Sequence, residues 1–241
     1  MSNHPFFISS YLVNQMLETA TDPIVAYKFM RKEHLRFWAD DCTLRIGTLG
    51  SYADLVTDGG VGDIQERFVS GISHDIDDSE SEKHQILLNN LSFLGVIEAK
   101  NCKNFTVKDC SYSNPDSYVF CVSRCLNKEI FRYWKEAEGY DAVIKILDLK
   151  DLMQSILHYD YLGERRLRHP CGIFLVKYLN LPDDFARVDI TQHKFIKDAQ
   201  LFSWQEEIRL LWDVEPLSPY YDLHLPNMRN LIEVMCLPKD W

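Results

Sequence analysis

Apolar residues recur along the chain with two different periods, and these predict both strands and helices. Strands are predicted where β-branched and aromatic residues concentrate, at 24–29, 43–49, 105–110, 118–123, 142–147, 172–178, 207–214 and 231–237. Helices are predicted where apolar residues recur every three to four positions, at 9–20, 32–40, 127–138 and from 149 onward. Gly139 should end the third helix, and Asp148 should cap the start of the fourth. Strands and helices in this order predict an α+β fold.

Composition and charge narrow the class of protein. The 241 residues are 46% hydrophobic and 26% charged, and no internal repeat or long Pro/Gly/Ser linker divides them, so we expect a single globular domain over 1–241. The formal net charge of −10 argues against a protein that binds nucleic acid over its whole surface. No apolar run reaches membrane-spanning length, and the first Lys or Arg is Lys28, so we expect no membrane association and a cytoplasmic location.

Metal and disulfide chemistry have weak support in the sequence. The seven cysteines form an odd number without a compact framework, and Cys121 and Cys125 lack the second pair that a zinc site needs. The acidic stretch 74–84 lacks the spacing of a calcium loop, and Asp63 and Glu66 have no neighbouring histidine. We therefore expect free thiols and no metal.

Candidate chemistry concentrates in the late segment 194–212, where Gln205, Glu206 and Glu207 lead into an apolar strand. Alternation places Gln205, Glu207 and Arg209 on one face of that strand and Glu206 on the other. The fingerprints of Rossmann, P-loop, zincin and α/β-hydrolase proteins are missing from the sequence.

Three segments together resemble ADP-ribosyltransferases and related bacterial proteins. The first is the start AYKFMRKEHLRFWADDCTLRIGTL, with its Tyr-Lys-Phe strand and Leu-Arg-x-Gly-Thr-Leu strand. The second is FCVSRCLNKEIFRYW, and the third is Lys197 followed by WQEEIR, which is similar to a [QE]-x-Glu-x-Arg strand. The resemblance implies an ADP-ribosyltransferase-like fold with a mixed, split β-sheet core and flanking helices.

The same resemblance implies a function and a set of site residues. NAD would be the substrate, and a macromolecular acceptor, protein or nucleic acid, would receive ADP-ribose. Glu207 would stabilise the oxocarbenium-like transition state, and Gln205 would orient the acceptor. Lys28 or Arg45 would bind the pyrophosphate, Ser123 would contact the ribose or position Glu207, and Tyr52 would stack on nicotinamide. An inhibitory partner protein and a toxin-like or antiviral role are also implied.

Several alternatives remain open at the level of the sequence. Water could replace the acceptor, which would make the chain an NAD glycohydrolase, or the fold could be a non-catalytic interaction protein. A metal-dependent hydrolase using Asp63 and Glu66 ranks lowest. The Glu-x-Arg pattern could be an ion pair on a solvated sheet face, and Arg45 could lie along the surface without binding phosphate.

Two spatial expectations follow. Strands 24–29, 43–49, 118–123 and 207–214 should surround one cleft, with Lys28, Ser123 and Glu207 lining the same face. The basic cluster Arg165, Arg166, Arg168 and His169 should lie on a loop away from this cleft, where it could contact an acidic acceptor.

Overall fold

The computed structural model describes residues 22–54, 68–70, 74–75, 88–90, 92, 106–107, 111–113, 116–167, 171–179, 194–212, 214–238 and 241. Contacts divide the chain into two compact units, one comprising 1–62, 116–176 and 204–241 and the other 63–115 and 177–203. The single domain expected over 1–241 stays a prediction. Among the described residues, no helix has both the length and the apolarity to cross a membrane.

The elements follow the chain in this order. The strands are β1 (Ala26–Met30), β2 (Thr43–Thr48), β3 (Phe68–Ser70), β4 (His74–Asp75), β5 (Thr106–Val107), β6 (Ser111–Ser113), β7 (Tyr118–Ser123), β8 (Ala142–Ile146), β9 (Cys171–Leu175), β10 (Lys177–Leu179), β11 (Ile196–Asp198), β12 (Glu207–Trp212), β13 (Tyr220–His224) and β14 (Ile232–Val234). The helices are α1 (Leu35–Ala39), α2 (Leu49–Asp54), α3 (Lys128–Glu138), α4 (Leu149–Leu162) and α5 (Ala199–Phe202), with 3-10 turns at Lys32–His34, Ser203–Gln205 and Met228–Asn230.

The larger unit contains an antiparallel sheet of eight strands with β7 near its centre. The order is β13-β2-β7-β1-β8-β14, and β12 pairs with β7 and with β9. The smaller unit contains three two-stranded sheets, β3 with β6, β4 with β5, and β10 with β11. The predicted α+β class is therefore confirmed.

On one side β7 pairs with a single strand along its whole length, and on the other side it pairs with two strands, one at each end. β12 pairs with the whole of β7, from Tyr118↔Trp212 to Ser123↔Glu207. On the opposite side, β1 pairs through Tyr27↔Ser123, and β2 pairs through Gly47↔Val119 and Thr48↔Tyr118. The middle of β7, around Cys121, therefore faces an opening between β1 and β2, which we call the sheet gap.

Two apolar layers cover the two faces of this sheet. Ala26, Met30, Phe120, Val122 and Ile208 belong to the larger core, which also contains side chains of α1 and α4. Tyr27 and Phe29 pack instead with α3, in a smaller cluster. Alternate residues of β1 and β7 thus point into different layers, as the period of a strand requires.

Helix ends agree closely with their sequence signals. The side chain of Asn127 accepts a hydrogen bond from the Ile130 amide at 2.9 Å, and Gly139 ends α3 with φ of 67°, a conformation that glycine adopts without steric cost. Asp148 accepts from the Lys150 amide at 2.9 Å and from the Ile24 amide at 3.2 Å. The N-cap of α4 therefore also fixes the residues that lead into β1.

Some predicted elements differ from the observed ones. Segment 172–178 is not one strand, because Val176 interrupts it and donates its amide to Glu207 O at 3.0 Å. The last strand is shorter than predicted, and β13 was not predicted although Tyr221 and Leu223 alternate with exposed residues. The predicted helix 9–20 lies outside the described residues.

Candidate functional site

Ser123 lies where three strands meet, at the end of β7. It pairs with Tyr27 of β1 on one side and with Glu207 of β12 on the other. Its buried hydroxyl lies 2.8 Å from Gln205 O and 3.0 Å from Cys125 O, and its one hydrogen is donated to these two carbonyls in a shared hydrogen bond. The hydroxyl therefore ties the end of β7 to the turn that precedes β12.

Glu207 forms a buried ion pair within its own strand. Arg209 donates from Nε to Glu207 Oε1 at 2.7 Å, and the Arg209 and Glu207 side chains are 0% and 7% exposed. The two residues share a face because they are two positions apart in β12. The alternative of an ion pair on a solvated face is therefore wrong, since both faces of β12 are buried.

Glu206 forms a second ion pair with very different surroundings. Its Oε2 accepts from Arg124 Nη2 at 2.9 Å and from the Cys125 thiol at 3.0 Å, and the Arg124 side chain is 56% exposed. These two hydrogen bonds, the thiol first, lower the pKa of Glu206, and the bond to Glu206 raises the pKa of Cys125. Glu206 also has a φ of 43°, a left-handed conformation that is costly for a residue other than glycine.

The predicted orientation of Gln205 needs a correction. Strand alternation predicts that Gln205 and Glu207 share a face, but Gln205 belongs to a 3-10 turn and β12 begins only at Glu207. The left-handed backbone at Glu206 further breaks the two-residue period. Gln205 is buried, and its carbonyl is the partner of Ser123, so strand geometry does not align its side chain with that of Glu207.

Lys28 contacts the middle of β7 from the face of the larger core. It alternates with Ala26 and Met30, so its side chain starts on the face of the larger core and not on the face of Ser123 and Glu207. Its ammonium donates to Cys121 O at 2.8 Å and lies 5.0 Å from the centre of the Phe120 ring. Burial lowers the pKa of Lys28, and attraction by Cys121 and Glu207 partly opposes that change. The expectation that Lys28, Ser123 and Glu207 line one face is wrong for Lys28, because Tyr27 is the residue that pairs with Ser123 and successive residues of a strand point to opposite faces.

Arg45 and Tyr52 lie near the other end of β7. Arg45 makes a bidentate ion pair with Asp222 of β13, with both nitrogen–oxygen distances at 2.7 Å, and lies over the Tyr220 ring. The Tyr52 ring packs on Gly47, where an added Cβ would lie 3.0 Å from Cε2. Gly47 pairs with Val119, four residues from Ser123, or roughly 13 Å along a strand. The structure thus brings Lys28, Ser123, Gln205 and Glu207 together and leaves Arg45 and Tyr52 further along the sheet.

The sequence pattern gave no role in the site to Arg124 or Cys125, and for Arg209 it offered only an ion pair on a solvated sheet face. Arg209 carried a usable signal, because an arginine two residues after a glutamate in an apolar strand can be buried only if it is paired. Arg124 and Cys125 carried none, since their contact with Glu206 joins residues 82 and 81 positions apart.

The other candidates lie elsewhere or outside the described residues. Arg165 and Arg166 follow α4, as expected for a loop, whereas Arg168, His169, Asp63 and Glu66 are outside the described residues. Within the described ranges, no group of three His, Cys, Asp or Glu side chains could hold a metal ion. Comparisons of the chain with protein-family models, curated proteins and solved structures found no match.

Proposed function

We propose that the chain is an NAD-dependent ADP-ribosyltransferase that acts in the cytoplasm on a protein or nucleic-acid acceptor. The observation that carries the proposal is the position of Ser123, which pairs with both Tyr27 and Glu207. Tyr27, Ser123 and Glu207 come from the three segments that resemble the transferases, which are far apart in the sequence, and these three residues are neighbours at this strand end. A toxin-like or antiviral role and control by an inhibitory partner belong to the same proposal.

Each residue would have a defined task in this reaction. NAD supplies the nicotinamide–ribose bond, whose cleavage leaves positive charge on the ribose. Glu207 would stabilise that charge, and Ser123 would hold the turn that carries Glu207 in place. Lys28, whose ammonium lies at Cys121 O beside the sheet gap, would supply positive charge toward the pyrophosphate.

The ion pair with Arg209 limits how freely Glu207 can interact with the ribose. A carboxylate 2.7 Å from a buried guanidinium already has a cationic partner, so the ribose would have to compete with Arg209 for it. The same pair is the observation that favours the second candidate, a non-catalytic interaction protein in which Glu207 and Arg209 stabilise the sheet. An NAD glycohydrolase would use the same residues with water as acceptor.

Labelled NAD separates these three functions. The chain is incubated with NAD and a cell lysate, and label is followed in protein, nucleic acid, free ADP-ribose and nicotinamide. Transfer of label to a macromolecule supports the proposal, free ADP-ribose alone indicates a glycohydrolase, and no binding or consumption of NAD supports the non-catalytic function.

Glu207→Gln tests the central residue. It keeps an oxygen that can accept from Arg209 but removes the negative charge, so we expect a loss of about 10²- to 10³-fold in nicotinamide release. Glu206→Gln is the matched control and should retain most of the activity. Both variants are compared with the original chain at equal folded fraction, measured by circular dichroism. Full activity of Glu207→Gln would assign Glu207 to the structure alone.

A further inference from the structure

Arg209 lies inside the sheet and has a paired strand on each side. It pairs with Cys121 of β7 and with Phe174 of β9, and its side chain is 0% exposed. A long side chain that is packed in this way keeps one direction, because its other rotamers would collide with neighbouring atoms. The guanidinium of Arg209 is therefore a fixed positive charge.

Glu207 occupies a less restrained position, at the first residue of β12. It follows Glu206, whose left-handed backbone precedes the regular strand, and its carbonyl accepts from the Val176 amide at 3.0 Å. The hydrogen bond from Arg209 Nε to Glu207 Oε1 at 2.7 Å joins this strand end to the interior of the same strand. The direction of the carboxylate is thus set from two residues away.

The other groups that face Glu207 come from neighbouring strands. Cys121 and Ser123 of β7 lie on its face of the sheet, whereas Leu175, the last residue of β9, has no titratable group. Lys28 of β1 attracts Glu207, but its ammonium donates to Cys121 O at 2.8 Å. The guanidinium described above, in contrast, donates directly to the carboxylate.

Burial and charge act on Glu207 in opposite directions. A carboxyl group that is removed from water takes up a proton more readily, whereas a cation in contact with it keeps it ionised. Only an ionised Glu207 could stabilise the positive charge that forms on the ribose. The contact that competes with the ribose therefore also maintains the charge that the ribose needs.

We propose that Arg209 is a positioning residue, which keeps the buried Glu207 carboxylate ionised and fixes its direction. Arg209 would act through Glu207 and would not contact the ribose itself. The role in catalysis rests on the proposed function, whereas the effect on the charge of Glu207 does not.

The pH dependence of nicotinamide release tests this role in Arg209→Gln, which keeps a hydrogen-bond donor and removes the charge. We expect the acidic limb of its profile to move to higher pH by about one unit, because Glu207 then takes up its proton more readily. Release should fall at least about tenfold on that limb and far less at higher pH, where Glu207 is ionised in both chains. Arg209→Lys keeps the charge and should restore the limb to its original position.

Arg124→Gln is the matched control, because Arg124 is the arginine that pairs with the neighbouring carboxylate, Glu206. Its acidic limb should coincide with that of the original chain. All variants are compared at equal folded fraction, measured by circular dichroism.

Carbon-13 NMR follows the charge of Glu207 without any need for activity, in the full chain labelled at the side-chain carboxyl carbons of glutamate. The Glu207 signal is the one that is missing from Glu207→Gln. It should titrate about one pH unit higher in Arg209→Gln than in the original chain and at an unchanged pH in Arg124→Gln. If the original chain releases no nicotinamide, the proposed function fails, and this titration still decides whether Arg209 sets the charge of Glu207.

Two results in Arg209→Gln would overturn the inference. An unchanged titration of Glu207 would show that other groups keep it ionised, and an equal loss of release at every pH would show that Arg209 supports the structure alone. Should Arg209→Gln fail to fold, a shifted limb in Arg209→Lys, which retains the charge, would contradict the inference.

Discussion

Glu206 and Glu207 are neighbours in the sequence, yet their ion pairs differ in almost every physical respect. Glu207 and Arg209 are buried among apolar residues within one strand, whereas Glu206 and Arg124 meet where β7 ends and β12 begins, and they remain partly in water. Two charges in a low-dielectric interior interact strongly but lose their hydration, whereas exposed charges interact weakly. The same residue type therefore has two different energetic roles one position apart.

Removal of one partner should show the largest difference between the two pairs. Glu207→Ala leaves the buried Arg209 guanidinium without its carboxylate, so we expect a loss of about 3–5 kcal/mol in the free energy of unfolding. Glu206→Ala removes a partly exposed pair and should cost only about 1 kcal/mol. Urea unfolding of both variants gives the two values.

A double variant tests whether the lost stability of Glu207→Ala comes from the charge of Arg209 that is left without its carboxylate. Glu207→Leu with Arg209→Met removes both buried charges and keeps apolar volume, so it should recover much of the stability lost in Glu207→Ala. A double variant as unstable as the single one would show that the pair itself, or its hydrogen bonds, stabilises the sheet.

Backbone strain at Glu206 should have an effect of intermediate size. Glycine adopts a φ of 43° readily, whereas alanine is strained there, so Glu206→Gly should be more stable than Glu206→Ala by about 1 kcal/mol. Both variants lack the ion pair, so the difference between their thermal unfolding temperatures measures the backbone strain alone. Equal stability would mean that the turn relaxes once the side chain is gone.

The pH dependence of the Glu206 pair should be the smallest effect. The pKa of Glu206 is lowered in the folded state, first by the Cys125 thiol and then by Arg124. Such a group stabilises the fold above the pKa of the unfolded chain, about 4.3, and the contribution disappears as the pH falls through the folded pKa. The difference in unfolding free energy between the original chain and Glu206→Gln should therefore be constant near pH 6 and shrink toward pH 3. A difference that grew on acidification would contradict the lowered pKa.

Local patterns predicted most of the fold but only part of the site. The strand 118–123, the helix end at Gly139 and the N-cap Asp148 follow from neighbouring residues, and the structure matches them. Gln205 was misplaced because one left-handed residue, Glu206, ends the strand period. Lys28 was assigned to the wrong face because its face depends on the register that pairs Tyr27 with Ser123, and no local pattern encodes a pairing between residues so far apart in the sequence.

The central position of β7 has a consequence for how the chain folds. Ser123 pairs with Tyr27, 96 residues earlier, and with Glu207, 84 residues later, so its contacts close very long loops. Closing such loops costs entropy before any contact is gained, and sheets of this kind fold slowly. During synthesis β7 leaves the ribosome long before β12 is made. The backbone groups of β7 that pair with β12 therefore stay unpaired during that time. We therefore expect chaperones that shield exposed strand edges to raise the yield of this protein more than that of a helical protein of equal length.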